Sequence, residues 1–135
     1  MEHDELIGQL QQRARLDSRG HAERAVRATL ETLGERLTAG AATNLAAQLP
    51  VELGDHLRAT AVPHGEEPEP FDSDEFLNRV SWRERTDPPA AAFHARAALE
   101  MVEEATSGGT LQKVRQQLPD DYDRLFEAGA TGKMQ

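Results

Sequence analysis

Cysteine is absent from the chain, which excludes disulfides and thiolate metal ligands and fits a reducing compartment. Long apolar runs are missing too. Nothing approaches the roughly 18 apolar residues of a membrane-crossing helix, and the polar start MEHDEL lacks the character of a secretion signal. A cytoplasmic protein that does not engage a membrane is therefore expected. Aromatic residues are scarce, with one Trp, one Tyr and four Phe, so a core must be built mainly from Leu, Ala and Val. Catalytic signatures are missing as well. There is no Gly-x-Ser-x-Gly, no His-Glu-x-x-His, no phosphate-binding glycine loop and no dinucleotide fingerprint. No stretch alternates apolar and polar residues as a strand does.

What is present suits one domain or two small modules sharing a core: 135 residues, 38% hydrophobic and 29% charged. The net charge of −9 is concentrated. Residues 61–75 hold six acids and no base, whereas residues 1–60 have nine acids against seven bases and residues 76–135 nine against eight. Near-balance outside one short stretch argues against a broad basic face for nucleic acid. The stretch AVPHGEEPEP reads as an extended, solvated linker.

The two sides of that linker resemble each other. At an offset of 70, Asp4, Glu5, Arg13, Arg15 and Asp17 meet Asp74, Glu75, Arg83, Arg85 and Asp87. At an offset of 69, Ala22, Arg27, Ala28, Leu30 and Glu31 meet Ala91, Arg96, Ala97, Leu99 and Glu100. The same offset aligns Gln48-Leu49-Pro50 with Gln117-Leu118-Pro119. One deletion near Pro88–Ala90 reconciles the offsets, and the pattern is an internal duplication.

Each copy reads as four helices. The first spans about 3–14 and 73–84, with Leu6, Ile7 and Leu10, or Phe76, Leu77 and Val80, at helical spacing. The second, about 18–38 and 88–106, carries an apolar stripe through Ala22, Ala25, Val26, Leu30 and Leu33. Asp87-Pro88 is a cap followed by proline at the first helical position, with Asp17 as its counterpart. Gly40 and Gly108-Gly109 are expected to stop this helix. A third helix runs to Leu49 or Leu118. The proline there turns the chain and opens a fourth, 50–58 or 119–128. The expected architecture is all-α: two tandem pseudo-symmetric four-helix modules in one compact body. The first repeat would occupy 1–60, the linker 61–71, the second repeat 72–128 and a flexible tail 129–135.

A helix ending in RARLD, then AERAVRATLETLGERLTAG, then LAAQLPVEL, and a second version of the same, resembles the family catalogued as domain of unknown function 2267. The resemblance covers roughly residues 3–127. It implies an all-helical prokaryotic protein and brings no activity, cofactor or catalytic residues with it. The second copy departs from the pattern where Phe93 and His94 replace Arg24 and Ala25.

Five histidines raise the question of a metal. His3 and His64 fall at a terminus and in the linker. His21, His56 and His94 lie on helices, but none forms a His-x-x-x-His pair and none is repeat-equivalent to another. Of the acids following His94, only Glu104 projects near its face. No catalytic, cofactor-binding or metal-ligating residue is therefore assigned. His94, on the position of Ala25, reads first as a hydrogen-bonded histidine at the core edge. Trp82 lies off the core stripe, so it either covers the other copy or marks a partner surface. Arg13/Arg15 and Arg83/Arg85 sit near helix C-termini, where they complement the dipole. As an alternative, they form an anion site that Glu66, Glu67 and Glu69 of the linker could occupy. The leading functional expectation is a non-enzymatic interaction or scaffold module using Trp82, Arg83, Arg85, Phe93 and His94, with a second copy or another protein as partner. The second is a small-molecule or anion binder, or a cryptic enzyme, working in the groove between the repeats.

Overall fold

The computed structural model describes residues 2–127, all-helical with no strand among them. Met1, the last residue of the expected second repeat and the expected tail 129–135 lie outside the described residues. The helices are α1 (His3–Arg13), α2 (Arg19–Arg36), α3 (Ala39–Ala47), α4 (Val51–Thr60), α5 (Ser73–Glu84), α6 (Pro88–Ala105), α7 (Thr110–Gln116) and α8 (Asp123–Glu127). A 3₁₀ turn, Asp120–Tyr122, precedes α8.

The boundaries refine the expectations. Ser18, not Asp17, caps α2, its hydroxyl accepting from the His21 backbone N–H at 3.1 Å. Asp87 caps α6 by accepting from Ala90 N–H at 2.9 Å. Both long helices thus start at an offset of 69, whereas Arg15 and Arg85, 70 apart, share a left-handed backbone with φ of 56° and 63°. The deleted residue therefore belongs in the joint before Asp87, not within α6. Gly40 does not stop α2. It lies inside α3, and α2 ends in extended backbone at Leu37. The fourth helix of the second half is broken into the 3₁₀ turn and the short α8.

α2 occupies the middle, packed on α1, α4, α5 and α6. Its buried face is wide, from Ala22 and Ala25 through Ala28, Thr29 and Thr32 to Leu33. Small side chains let the neighbouring helices approach. The buried hydroxyls of Thr29 and Thr32 donate to the carbonyls of Ala25 and Ala28, so burying them leaves no polar atom stranded. Buried side chains from both halves, Leu6, Leu10, Leu30 and Leu57 with Phe76, Leu99, Met101 and Leu125, form one continuous cluster. Each fully buried Leu or Phe contributes roughly 1.5–3 kcal/mol.

Contacts between repeat-related residues recur in exchanged form. Arg13 reaches Glu100 at 3.1 Å and Glu104 at 3.0 Å, both on α6. Arg83 reaches Glu35 at 2.7 Å and Glu31 at 3.6 Å, both on α2. Gln48 accepts from Ser107 N–H at 3.0 Å, and Gln117 accepts from the Thr38 hydroxyl at 3.2 Å. The glutamine of each Gln-Leu-Pro thus grips the segment that leads into the opposite third helix. The linker ends in a latch: Tyr122 Oη and Arg36 Nε both donate to the Phe71 carbonyl, at 2.7 and 2.8 Å.

Candidate functional site

Two features meet where α2 faces the end of α5. The first is a polar cluster in otherwise apolar surroundings. Glu84, the last residue of α5, is completely buried, and His94 on α6 is 7% exposed. One carboxylate oxygen, Oε2, takes both partners: His21 Nε2 from α2 at 3.1 Å and His94 Nδ1 in close contact. The imidazole rings stand edge to face, 5.4 Å between centroids. The other oxygen, Oε1, is buried with no hydrogen-bond partner. Arg24, one turn along α2 from His21, donates from Nε to the Glu84 carbonyl at 2.8 Å and so holds the end of α5 in place.

Sequence spacing pairs neither His21 nor His94 with another histidine and brings only Glu104 near the face of His94. The structure joins the two histidines through Glu84, while Glu104 turns to Arg13. His94 does take the hydrogen-bonded place at the core edge that its position suggests. Glu84, His94 and His21 correspond to Ala14, Ala25 and Ala90 at the structural offsets of 70, 69 and 69. Ala14 and Ala25 are buried. The fold accepts small apolar side chains at these positions, so three polar ones are an addition to it.

The second feature is an open groove of about 1000 Å³ between α2 and α5. Arg24, Arg27, Asn78, Trp82, Arg83 and Arg85 line it. Trp82 is 81% exposed, so it does not cover the other half of the molecule. Arg83 is committed to Glu31, Thr32 and Glu35 across the helix interface. Its hydrogen bond is the main cause that holds the Glu35 carboxyl below the usual carboxylate range. Arg85 has no ion-pair partner among the described residues. The linker does not fill the groove: Glu69 pairs with Arg79 at 3.0 Å, and Arg79 stacks on Phe71 at 3.8 Å from the ring centre. Phe93 does not line the groove. Half-buried, it packs against the ring of His94 and under the guanidinium of Arg96.

No helix among the described residues is long and apolar enough to cross a membrane. A family model described as "Uncharacterized conserved protein (DUF2267)" matches residues 3–125. No curated protein matches the chain.

Proposed function

The chain belongs to this family of uncharacterized conserved proteins; from that premise, which carries no activity, we propose a non-enzymatic interaction module that binds an acidic segment of a partner protein. The observation that carries the reading is Trp82, 81% exposed beside Arg85 in the groove of α2 and α5. A bare indole next to an uncommitted guanidinium suits a ligand with an apolar side chain followed by carboxylates. Arg24 and Arg27 also line the groove, along with Glu31 and Asp87; Arg24 is held by the Glu84 carbonyl and Arg27 is shared with Glu31 at 2.9 Å. A polyanionic nucleic acid is disfavoured because acids and bases are nearly balanced outside residues 61–75, leaving no broad basic face. The absence of cysteine supports action in the reducing cytoplasm.

Because Trp82 is the only tryptophan, its emission reports the site directly. Titration with a short peptide of alternating Leu and Glu should shift that emission, more weakly as salt is raised. Arg85→Glu should abolish the shift without altering the far-ultraviolet circular dichroism. Emission that does not move with peptide, or moves equally in Arg85→Glu, refutes the reading. A small carboxylate or phosphate ligand in the same groove is the second reading, carried by the three arginines other than Arg83. Calorimetric titration with citrate or inorganic phosphate separates it from the peptide.

A further inference from the structure

We propose that His21, Glu84 and His94 form a binding site for a divalent transition-metal ion of the zinc or ferrous class. The donors are two imidazole nitrogens and a carboxylate oxygen, the mixture that such borderline ions select. The atoms that would bind lie within 4.8 Å of one another. Donors held at about 2.0–2.2 Å from one tetrahedral ion stand about 3.3–3.6 Å apart. Forming the site therefore takes side-chain rotation on the order of an ångström, drawing in His21, whose side chain is 24% exposed, and moving His94 Nδ1 off its close contact with Glu84 Oε2.

Three observations favour an ion over a set of hydrogen bonds. Both imidazoles converge on one oxygen of Glu84, and the other oxygen, fully buried, has no partner. Hydrogen bonding alone leaves that charge half satisfied, whereas a divalent cation takes it up directly. The donors come from three separate helices, α2, α5 and α6, fixed by core packing and by the Arg24 bond to the Glu84 carbonyl. A site on rigid elements keeps its geometry without the ion. Finally, the corresponding positions in the other copy are Ala14, Ala25 and Ala90, so the fold itself does not call for this triad. Three protein ligands leave coordination positions for water or an exogenous ligand, the pattern of a reactive or exchangeable site rather than a closed structural one. The part-exposed His21 marks the side from which an ion enters.

The test uses the full chain, stripped with chelator and titrated with cobalt(II) and then zinc(II). One equivalent of cobalt should give visible d–d absorption, zinc should displace it, and zinc should raise the melting temperature. His21→Ala should weaken binding by more than about tenfold. The triple substitution His21→Ala, Glu84→Ala, His94→Ala reproduces the residues of the other copy. It is expected to keep the helical circular dichroism and to lose cobalt absorption and the zinc-induced rise in melting temperature together. His64→Ala, in the linker, should bind as the parent does. No d–d absorption with the parent chain overturns the proposal, and so does absorption that persists in His21→Ala and in the triple variant.

Discussion

At the scale of single residues, Gly54 shows how tightly α4 is fitted against α3. A Cβ built on Gly54 would lie 2.7 Å from the Ala46 carbonyl oxygen, a backbone atom that cannot swing away. Gly54→Ala must therefore push α4 off α3. It is expected to cost roughly 1–3 kcal/mol, the range for overpacking, measured as a lower urea midpoint at unchanged slope. Gly8→Ala, with nothing near its Cβ, is the control and should not destabilise. His56 is half-buried on α4, and burial is the chief cause that lowers its pKa below 6.5. Glu31 and Arg27 on α2, Asp55 on α4 and His3 on α1 act on it with opposing, smaller effects. A depressed folded pKa means the unfolded chain binds the proton more readily. The stability tied to neutral His56 is thus present above pH 6.5 and lost as pH falls below it. In His56→Gln, stability should change less between pH 7 and 5.5 than in the parent, and equal slopes would contradict this assignment. The polar cluster shows where sequence reasoning stopped at this scale. His94 in place of Ala25 is visible in the sequence on its own, whereas Glu84 in place of Ala14 gains meaning only beside it. His21 and Glu84 are 63 residues apart, so no local spacing links them. Aligning the copies and asking which buried alanines become polar would have found two of the three residues.

Between elements, the exchanged ion pairs tie each first-type helix to the long helix of the other half. Glu35 is held low chiefly by its hydrogen bond from Arg83, and Glu104 chiefly by its hydrogen bond from Arg13. Both folded pKa values lie below 4.5, so these pairs add stability that is complete above that pH and fades as pH falls through the folded values. The charges are part-exposed and screened, so the effect is read as a slope. In the double variant Arg13→Met, Arg83→Met, the loss of urea stability between pH 5 and 3 should be shallower than in the parent. A slope unchanged by the double substitution would show that other carboxylates carry the acid response. The helices themselves are legible because their signals are local: apolar spacing, Asp87 as a cap, prolines after the third helices. The errors arose where a neighbour decides. Ser18 and Asp17 are equally good caps by composition, and the hydrogen bond from His21 N–H selects Ser18. The last helix breaks where Asp121 turns to accept from Ser73 N–H at 2.6 Å, a contact between segments 48 residues apart. The Gln-Leu-Pro corner is legible as a turn, but its glutamine reaches across to the other half, which spacing alone does not reveal.

For the whole molecule, the question is whether either half can stand alone. α2 buries one face on α1 and α4, which belong to its own half, and another on α5 and α6 from the other half. Separating the halves at the linker would expose Ala25, Ala28, Thr29 and Thr32, all within 1% of complete burial. It would also leave Arg36 without the Phe71 carbonyl and Gln48 without the backbone of Ser107. A chain of about 60 residues buries only about 60% of its unfolded surface even when well packed, and such a loss leaves little net stability. Residues 1–60 expressed alone should therefore give a narrow amide NMR spectrum and no cooperative thermal transition. Adding residues 61–135 should restore dispersed resonances at one-to-one stoichiometry, because the exchanged contacts reform between chains as they do within one. A cooperative melt of the 1–60 fragment by itself would refute this and make the halves independent domains. The interdependence bears on function. The groove and the histidine–glutamate cluster both lie where α2 of one half meets helices of the other, so neither exists in a single repeat. The cluster rests on side chains by which the halves differ: Glu84 and His94 stand where the first half has Ala14 and Ala25.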